Sequence, residues 1–198
     1  MPIRKVTGFT TFALQKKTDR MQSVSLHDKE FVLYLEEDKI QKAIEKMAKT
    51  LEKEYAGKDV VFVGVLNGCF RLIAGLMKYI EFEAEVNFIK LSSYRGTEST
   101  GKISDLMSLN TDLRNKHVIV LEDIVDTGHT LDYLRDVLKE KELASLKVAS
   151  LLFKPDAFIG KYKPDYVAFE IPNLFVVGYG LDYDGLGRNL NDIYQIKS

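Results

Sequence analysis

The stretch Val118-Ile119-Val120-Leu121-Glu122-Asp123-Ile124-Val125-Asp126-Thr127-Gly128-His129-Thr130-Leu131 decides the fold. An apolar run of β-formers meets two adjacent carboxylates and then a small, hydroxyl-rich turn, after which Leu131, Leu134, Val137 and Leu138 recur at helical spacing. Strand, polar turn and helix make the repeating unit of α/β proteins, whose open sheets bind ligands at the C-terminal ends of their strands. The turn Asp126-Thr127-Gly128-His129-Thr130 offers successive backbone N–H groups, two hydroxyls and a helix N-terminus, a set that can hold a phosphate without Lys or Arg. Glu122 and Asp123 would repel that phosphate, so they suit a group that donates hydrogen bonds, such as a vicinal diol. A diol a few ångströms from a phosphate describes ribose 5-phosphate. The plainer alternative makes the two acids solvated loop charges and the turn a helix cap, with Asp126 as N-cap. It leaves unexplained why this polar cluster follows so apolar a strand.

The pattern repeats outward from this unit. Upstream, Ile40, Ala43, Ile44, Met47, Ala48, Leu51 and Tyr55 form one helical face, entered by Glu36-Glu37-Asp38 and ended by Gly57. Val60–Val65 reads as a buried strand, Asn67-Gly68 as a tight loop, and Phe70, Ile73, Ala74, Met77 and Ile80 as the next helix. Further strand-like runs lie at Ala84–Leu91, His117–Leu121, Leu146–Phe153, Tyr166–Phe169 and Phe175–Val177. Apolar strands interleaved with helices predict an α/β fold with a mostly parallel central sheet flanked by helices.

Composition narrows the partners. The chain has 198 residues, 45% hydrophobic and 29% charged, which suits one domain with one sizeable core. Lys and Arg total 28 against 29 Asp and Glu, so the net charge of -1 provides no field for a polyanion and argues against nucleic acid. Cys69 is the single cysteine and no Cys/His cluster has zinc spacing, as expected in a reducing compartment. Residues 1–25 lack the apolar centre of a secretory signal, and no run of about 18 apolar residues occurs, so a cytoplasmic protein without membrane association is expected. Neither G-x-x-x-x-G-K-[ST] nor a strand followed by G-x-G-x-x-G is present, which sets aside P-loop and dinucleotide enzymes.

The Glu122–Thr130 segment resembles the phosphoribosyl-pyrophosphate (PRPP) motif of type I phosphoribosyltransferases. The resemblance extends to the hypoxanthine-guanine branch of that family through Val65-Leu66-Asn67-Gly68, Ser92-Ser93-Tyr94, Ser150–Lys154, Phe169-Glu170-Ile171-Pro172, Phe175–Tyr183 and Arg188-Asn189-Leu190. It covers about residues 30 to 195 and leaves 1–25 as an extension. It implies the type I fold, with a small hood from the terminal segments to which about 155–198 contributes the base-binding part. It also implies transfer of phosphoribosyl from PRPP to hypoxanthine or guanine, with Mg²⁺ as cofactor and a homodimer or homotetramer as the assembly.

Residue by residue, the resemblance implies that Glu122 and Asp123 hold the ribose hydroxyls and Asp126–Thr130 the 5′-phosphate. Asp126 would exchange the N7 proton of the purine. Lys154 would face O6, Phe175 would stack on the base, and Val176 and Asp182 would complete the purine site. Asp182, Glu122 and Asp123 are the implied Mg²⁺ ligands. Asn67, Gly68 and Arg188 would meet pyrophosphate, in a loop where the family has a non-proline cis peptide bond. Many members have Lys where this chain has Asn67, which moves the burden there onto backbone amides. Ser93 and Tyr94 open a polar stretch, to Lys102, that looks like the family's lid. The rival is a PRPP-sensing regulator on the same fold, which would be expected to carry a basic groove or an added DNA-binding segment. The charge balance and the presence of Asp126 and Lys154 oppose it.

Overall fold

The structure, a computed structural model, describes residues 21–91 and 112–197. The elements in chain order are β1 (Ser23–Leu26), β2 (Lys29–Leu35), α1 (Glu37–Tyr55), β3 (Val60–Leu66), α2 (Phe70–Leu76), β4 (Ala84–Lys90), β5 (His117–Val125), α3 (His129–Lys139), β6 (Ser145–Phe153), β7 (Tyr166–Glu170), β8 (Val176–Val177) and β9 (Ile193–Ile196). Five of the strands form a parallel sheet in the order β4-β3-β5-β6-β7. The central strands β3, β5 and β6 are apolar over most of their length because both faces are covered. On one face Phe62, Ile119 and Leu151 pack with Ile40, Ile44 and Leu51 of α1 and Leu72 and Leu76 of α2. On the other, Val61, Val63, Val120 and Val148 pack with Leu131, Leu134 and Leu138 of α3.

The direction of chain progression across this sheet reverses between β3 and β5: β3 has β4 on one side and β5 on the other. Loops leaving the C-terminal ends of those two strands diverge to opposite faces and open a crevice, the usual ligand position in such sheets. The loops concerned are Asn67–Cys69 and Asp126–Gly128.

Three elements differ from the sequence reading. The strand expected to end at Leu121 continues to Val125, so Glu122 and Asp123 are strand residues rather than loop residues. In α2 the buried residues are Leu72, Ile73, Gly75 and Leu76, whereas Phe70, expected on the core face, is 41% exposed. The third difference is a second, antiparallel sheet, β1-β2-β9-β8, in which only β8 was foreseen. This hood takes residues 23–35 and 176–196, while the segment following 155 first returns to the core sheet as β7.

Hood and core are joined through Asp192, which is buried. Its Oδ1 accepts the Glu37 N–H at 2.7 Å, and so caps α1 from across the chain while the helix's own N-cap residue, Glu36, makes no side-chain cap bond. Asp192→Ala should therefore lower stability by about 1–2 kcal/mol, a drop of roughly 2–8 °C in thermal melts. A melt identical to wild type would show that the cap carries no load.

Candidate active site

The parallel register of β5 and β6 builds the first part of the site. Val125 lies opposite Phe153, the last residues of their strands, so the residues that follow, Asp126 and Lys154, emerge side by side. Lys154 Nζ donates to Asp126 Oδ2 at 2.7 Å. Lys154 is only 6% exposed and the Asp126 side chain 45%, so the pair has a dry end and a wet end. Asp126 is not the N-cap of α3, contrary to the alternative weighed from sequence. Gly128 occupies that position with φ +90°, without a side-chain cap bond, which leaves the amides of the turn available. The ring of Phe158 closes over Gly128: a Cβ there would stand 2.4 Å from Phe158 Cε2. Thr127, His129 and Thr130 face solvent.

A cavity of about 360 Å³ opens along this edge, lined by Val65, Leu66, Leu91 and the run from Glu122 to Gly128 with Thr130 and Leu131. Strand alternation sends Glu122 and Asp123 to opposite sides of β5. Glu122 is buried, and burial, reinforced by the neighbouring Asp123 charge, pushes its carboxyl well above the usual range. Asp123 is pushed up to about 6, chiefly by burial. Its own N–H, that of Ile124 and the charge of Arg188 pull the other way, while Asp182 adds to the rise. Among the described residues no ion pair holds Glu122 or Asp123.

Asp123 lies against the loop from β3. A Cβ on Gly68 would fall 1.5 Å from Asp123 Oδ2, so only glycine fits there, and the preceding Leu66–Asn67 peptide is cis. Gly180 packs on the far side of the same loop, where a Cβ would stand 2.1 Å from the Gly68 carbonyl oxygen. Beyond it, Arg188 donates to the Gly180 carbonyl at 2.7 Å and pairs with Asp182 at 2.6 Å, while the Gly185 N–H binds the other Asp182 oxygen at 2.8 Å. No group of three or more His, Cys, Asp or Glu among the described residues forms a ready-made metal cage, so Asp182, Glu122 and Asp123 are not gathered around one point.

Comparison with known proteins decides the family. The phosphoribosyl transferase domain family matches residues 34–184, three quarters of the chain and the whole constellation up to Asp184. The chain belongs to the phosphoribosyltransferase family. It is 45% identical over 161 residues to the hypoxanthine-guanine phosphoribosyltransferase of Streptococcus pneumoniae, covering 81% of this chain and 89% of that protein. It is 46% identical over 167 residues to that of Streptococcus agalactiae, covering 84% and 92%. Among solved structures, a hypoxanthine phosphoribosyltransferase from Staphylococcus aureus superposes with a TM-score of 0.79 at 38% identity, covering 83% of this chain and 90% of that one. A hypoxanthine phosphoribosyltransferase variant from Trypanosoma cruzi in a ternary complex with substrates gives 0.78 at 35% identity, covering 83% and 94%.

Several further residues bear on this phosphoribosyltransferase site. Phe175 precedes β8 and is 46% exposed, an unusual state for a large aromatic at the start of an apolar strand. Its ring is braced edge-on by Tyr183 (5.8 Å between centroids) and by the tilted ring of Phe31 (6.2 Å). The Tyr183 hydroxyl donates to Asp28 at 2.8 Å, so the β1–β2 turn fixes the platform. The adjacent Val176 is buried in β8, opposite Gln195. Tyr183 closes a stretch that carries the resemblance, but neither its bracing role nor Asp28 could be found from sequence, since their contact joins positions 155 residues apart. His27 and His117 bond the Asp184 carbonyl and the Ser145 hydroxyl. Ser93 and Tyr94, read as the lid, lie outside the described residues, as do residues 1–20.

The raised carboxyls make stability depend on pH. A group whose folded pKa exceeds its unfolded value contributes fully at low pH and loses that contribution as pH rises through the folded value. For Asp123 the window runs from about 4 to about 6, and the burden of the ionised form above it is on the order of 3 kcal/mol. In metal-free buffer, Asp123→Asn should melt with wild type near pH 4 and progressively above it through pH 6, with a constant gain by pH 8. A variant that melts lower than wild type at pH 8 would overturn this sign.

Proposed function

We propose that this protein transfers the 5-phosphoribosyl group of PRPP to hypoxanthine or guanine, giving IMP or GMP and pyrophosphate. The observation that carries the reading is the Lys154–Asp126 pair beside the phosphate turn. A 6-oxopurine with its proton on N7 presents an acceptor, O6, and a donor, N7–H, along one edge. The pair offers the complementary ammonium donor and carboxylate acceptor. Adenine would set an amino donor against the ammonium and leave it unmatched.

In the reaction, N9 attacks the anomeric carbon as the bond from that carbon to the pyrophosphate oxygen breaks, the electron pair leaving with pyrophosphate. Positive charge gathers on the sugar ring, and the carboxylates of Glu122 and Asp123, holding the ribose hydroxyls, favour it. The N7 proton passes to Asp126 as N9 becomes bonded to the sugar. The amides and hydroxyls from Asp126 to Thr130 hold the 5′-phosphate. Phe175 stacks on the base, and Val176 and Asp182 meet its pyrimidine edge. Asn67, Gly68 and Arg188 bind pyrophosphate. Asp182, Glu122 and Asp123 are hard oxygen donors that do not form one cage, so they would hold Mg²⁺ one or two at a time, directly or through water, with a substrate phosphate filling the rest of the shell. What the ion supplies when bound is neutralisation of charge on pyrophosphate.

The free, buried Cys69 is compatible with a cytoplasmic location, and among the described residues no helix is long and apolar enough to cross a membrane. A homo-oligomer is in keeping with the exposed Phe70, Val86 and Phe88 on α2 and β4.

The decisive assay supplies PRPP, Mg²⁺ and each purine base in turn. IMP or GMP should form together with pyrophosphate, and adenine should give nothing. Failure with both oxopurines would discard the reading in favour of a PRPP sensor. Lys154→Ala should lower kcat/KM for hypoxanthine and guanine by about 10- to 100-fold, the worth of a charged donor to O6. Unchanged values would leave Lys154 as a partner of Asp126 alone.

A further inference from the structure

Arg71 lies on α2, three residues after Gly68, and its guanidinium is spent wholly on a segment more than a hundred residues away. Nη1 donates to the carbonyls of Asn189 at 2.9 Å and Leu190 at 2.8 Å, and Nη2 to Asn191 Oδ1 at 2.7 Å. The same group stacks over the Tyr179 ring, 4.7 Å from its centroid, and the Tyr179 hydroxyl is fixed in turn by Gln41 at 2.8 Å. The residues it grips directly follow Arg188, whose carbonyl accepts the Gly180 N–H at 3.1 Å while its side chain returns to the Gly180 carbonyl at 2.7 Å. Gly180 itself sits on the Gly68 carbonyl. The loop from β3 and the loop bearing Arg188 and Asp182 are therefore joined at two points, a glycine contact and one side chain.

We propose that Arg71 is a positioning residue for pyrophosphate: by clamping residues 189–191 to α2 it sets where Arg188 stands relative to Asn67 and Gly68. This rests on the reading of Arg188 as a pyrophosphate contact. Three directed donors and an aromatic face define one orientation of the gripped backbone, which an ammonium, a compact point charge, reproduces only in part. Arg188 is itself half-buried and paired with Asp182, so a small displacement of its backbone changes how both charges meet the ligand.

The test compares Arg71→Met, Arg71→Lys, Arg188→Ala and the Arg71→Met/Arg188→Ala double variant, reading KM for pyrophosphate in the reverse reaction with IMP and KM for hypoxanthine in the forward one. Arg71→Met should raise the pyrophosphate KM about tenfold and leave the hypoxanthine KM within about twofold, with Arg71→Lys intermediate. In the Arg188→Ala background, Arg71→Met should add nothing, because the effect runs through Arg188. Equal rises in both KM values, an unchanged pyrophosphate KM, or full additivity in the double variant would each overturn the proposal. If Arg71→Met does not fold, Arg71→Lys alone decides, through the same split between the two KM values. The underlying assignment fails separately if Arg188→Ala by itself leaves the pyrophosphate KM unchanged.

Discussion

Asp126→Asn should lower kcat by about 10²–10⁴-fold while leaving the PRPP dissociation constant nearly unchanged. The carboxylate is the group to which the N7 proton passes, and an amide cannot accept that proton at any useful pH. The phosphate turn does not depend on it: α3 is entered through Gly128, with no side-chain cap, and the amides that would meet the 5′-phosphate remain in place. The amide oxygen can still accept from Lys154 Nζ, so the 2.7 Å contact survives in kind and the buried ammonium is not stranded. The checks are turnover at saturation in both substrates and a direct titration with PRPP. Collapsed binding with surviving turnover at saturation would instead make Asp126 an architectural member of the turn.

How much of this could be read from the sequence follows from how local each feature is. Glu122, Asp123 and the Asp126–Thr130 turn were legible because polar residues interrupting an apolar strand are costly unless used, and strand, turn and helix lie within one short segment. The parallel sheet was legible because its central strands are largely apolar on both faces. The end of β5 was misjudged because two carboxylates look like a loop. They belong to the strand, which explains the burial of Glu122, the partial burial of Asp123 and the raised carboxyls of both. The hood was largely illegible: β1, β2 and β9 are short or half-exposed, and although β1 and β2 form a local hairpin, β2 finds β9 across most of the chain length, as Phe31 does Ile196. Arg71 and Asp192 carry no local signal. Each is an ordinary charged residue in sequence and acquires its role from a contact more than a hundred positions away.

The Glu122→Gln/Asp123→Asn double variant should lose at least about 10³-fold in kcat/KM for PRPP and yet melt above wild type at pH 8. The two effects share one cause. Among the described residues no ion pair holds the two carboxyls, and burial makes their surroundings hostile to charge, so neutral amides of the same shape relieve a standing burden. In the transition state the same negative charge faces a sugar carrying positive charge, and a poorly hydrated carboxylate exerts that stabilisation at its strongest. Removing one such group is typically worth about 10²–10³-fold, and two groups acting on one sugar will not multiply fully. The stability gain should disappear near pH 4, where the raised carboxyls are neutral in wild type too, whereas the catalytic loss is measured at pH 8, above the value of about 6 for Asp123. Steady-state kinetics and melts at both pH values read the two arms independently. A double variant that is inactive and also less stable at pH 8 would mean that the acids are held by favourable contacts in the free protein, and that their loss acts through the fold rather than through the charge they present to the sugar.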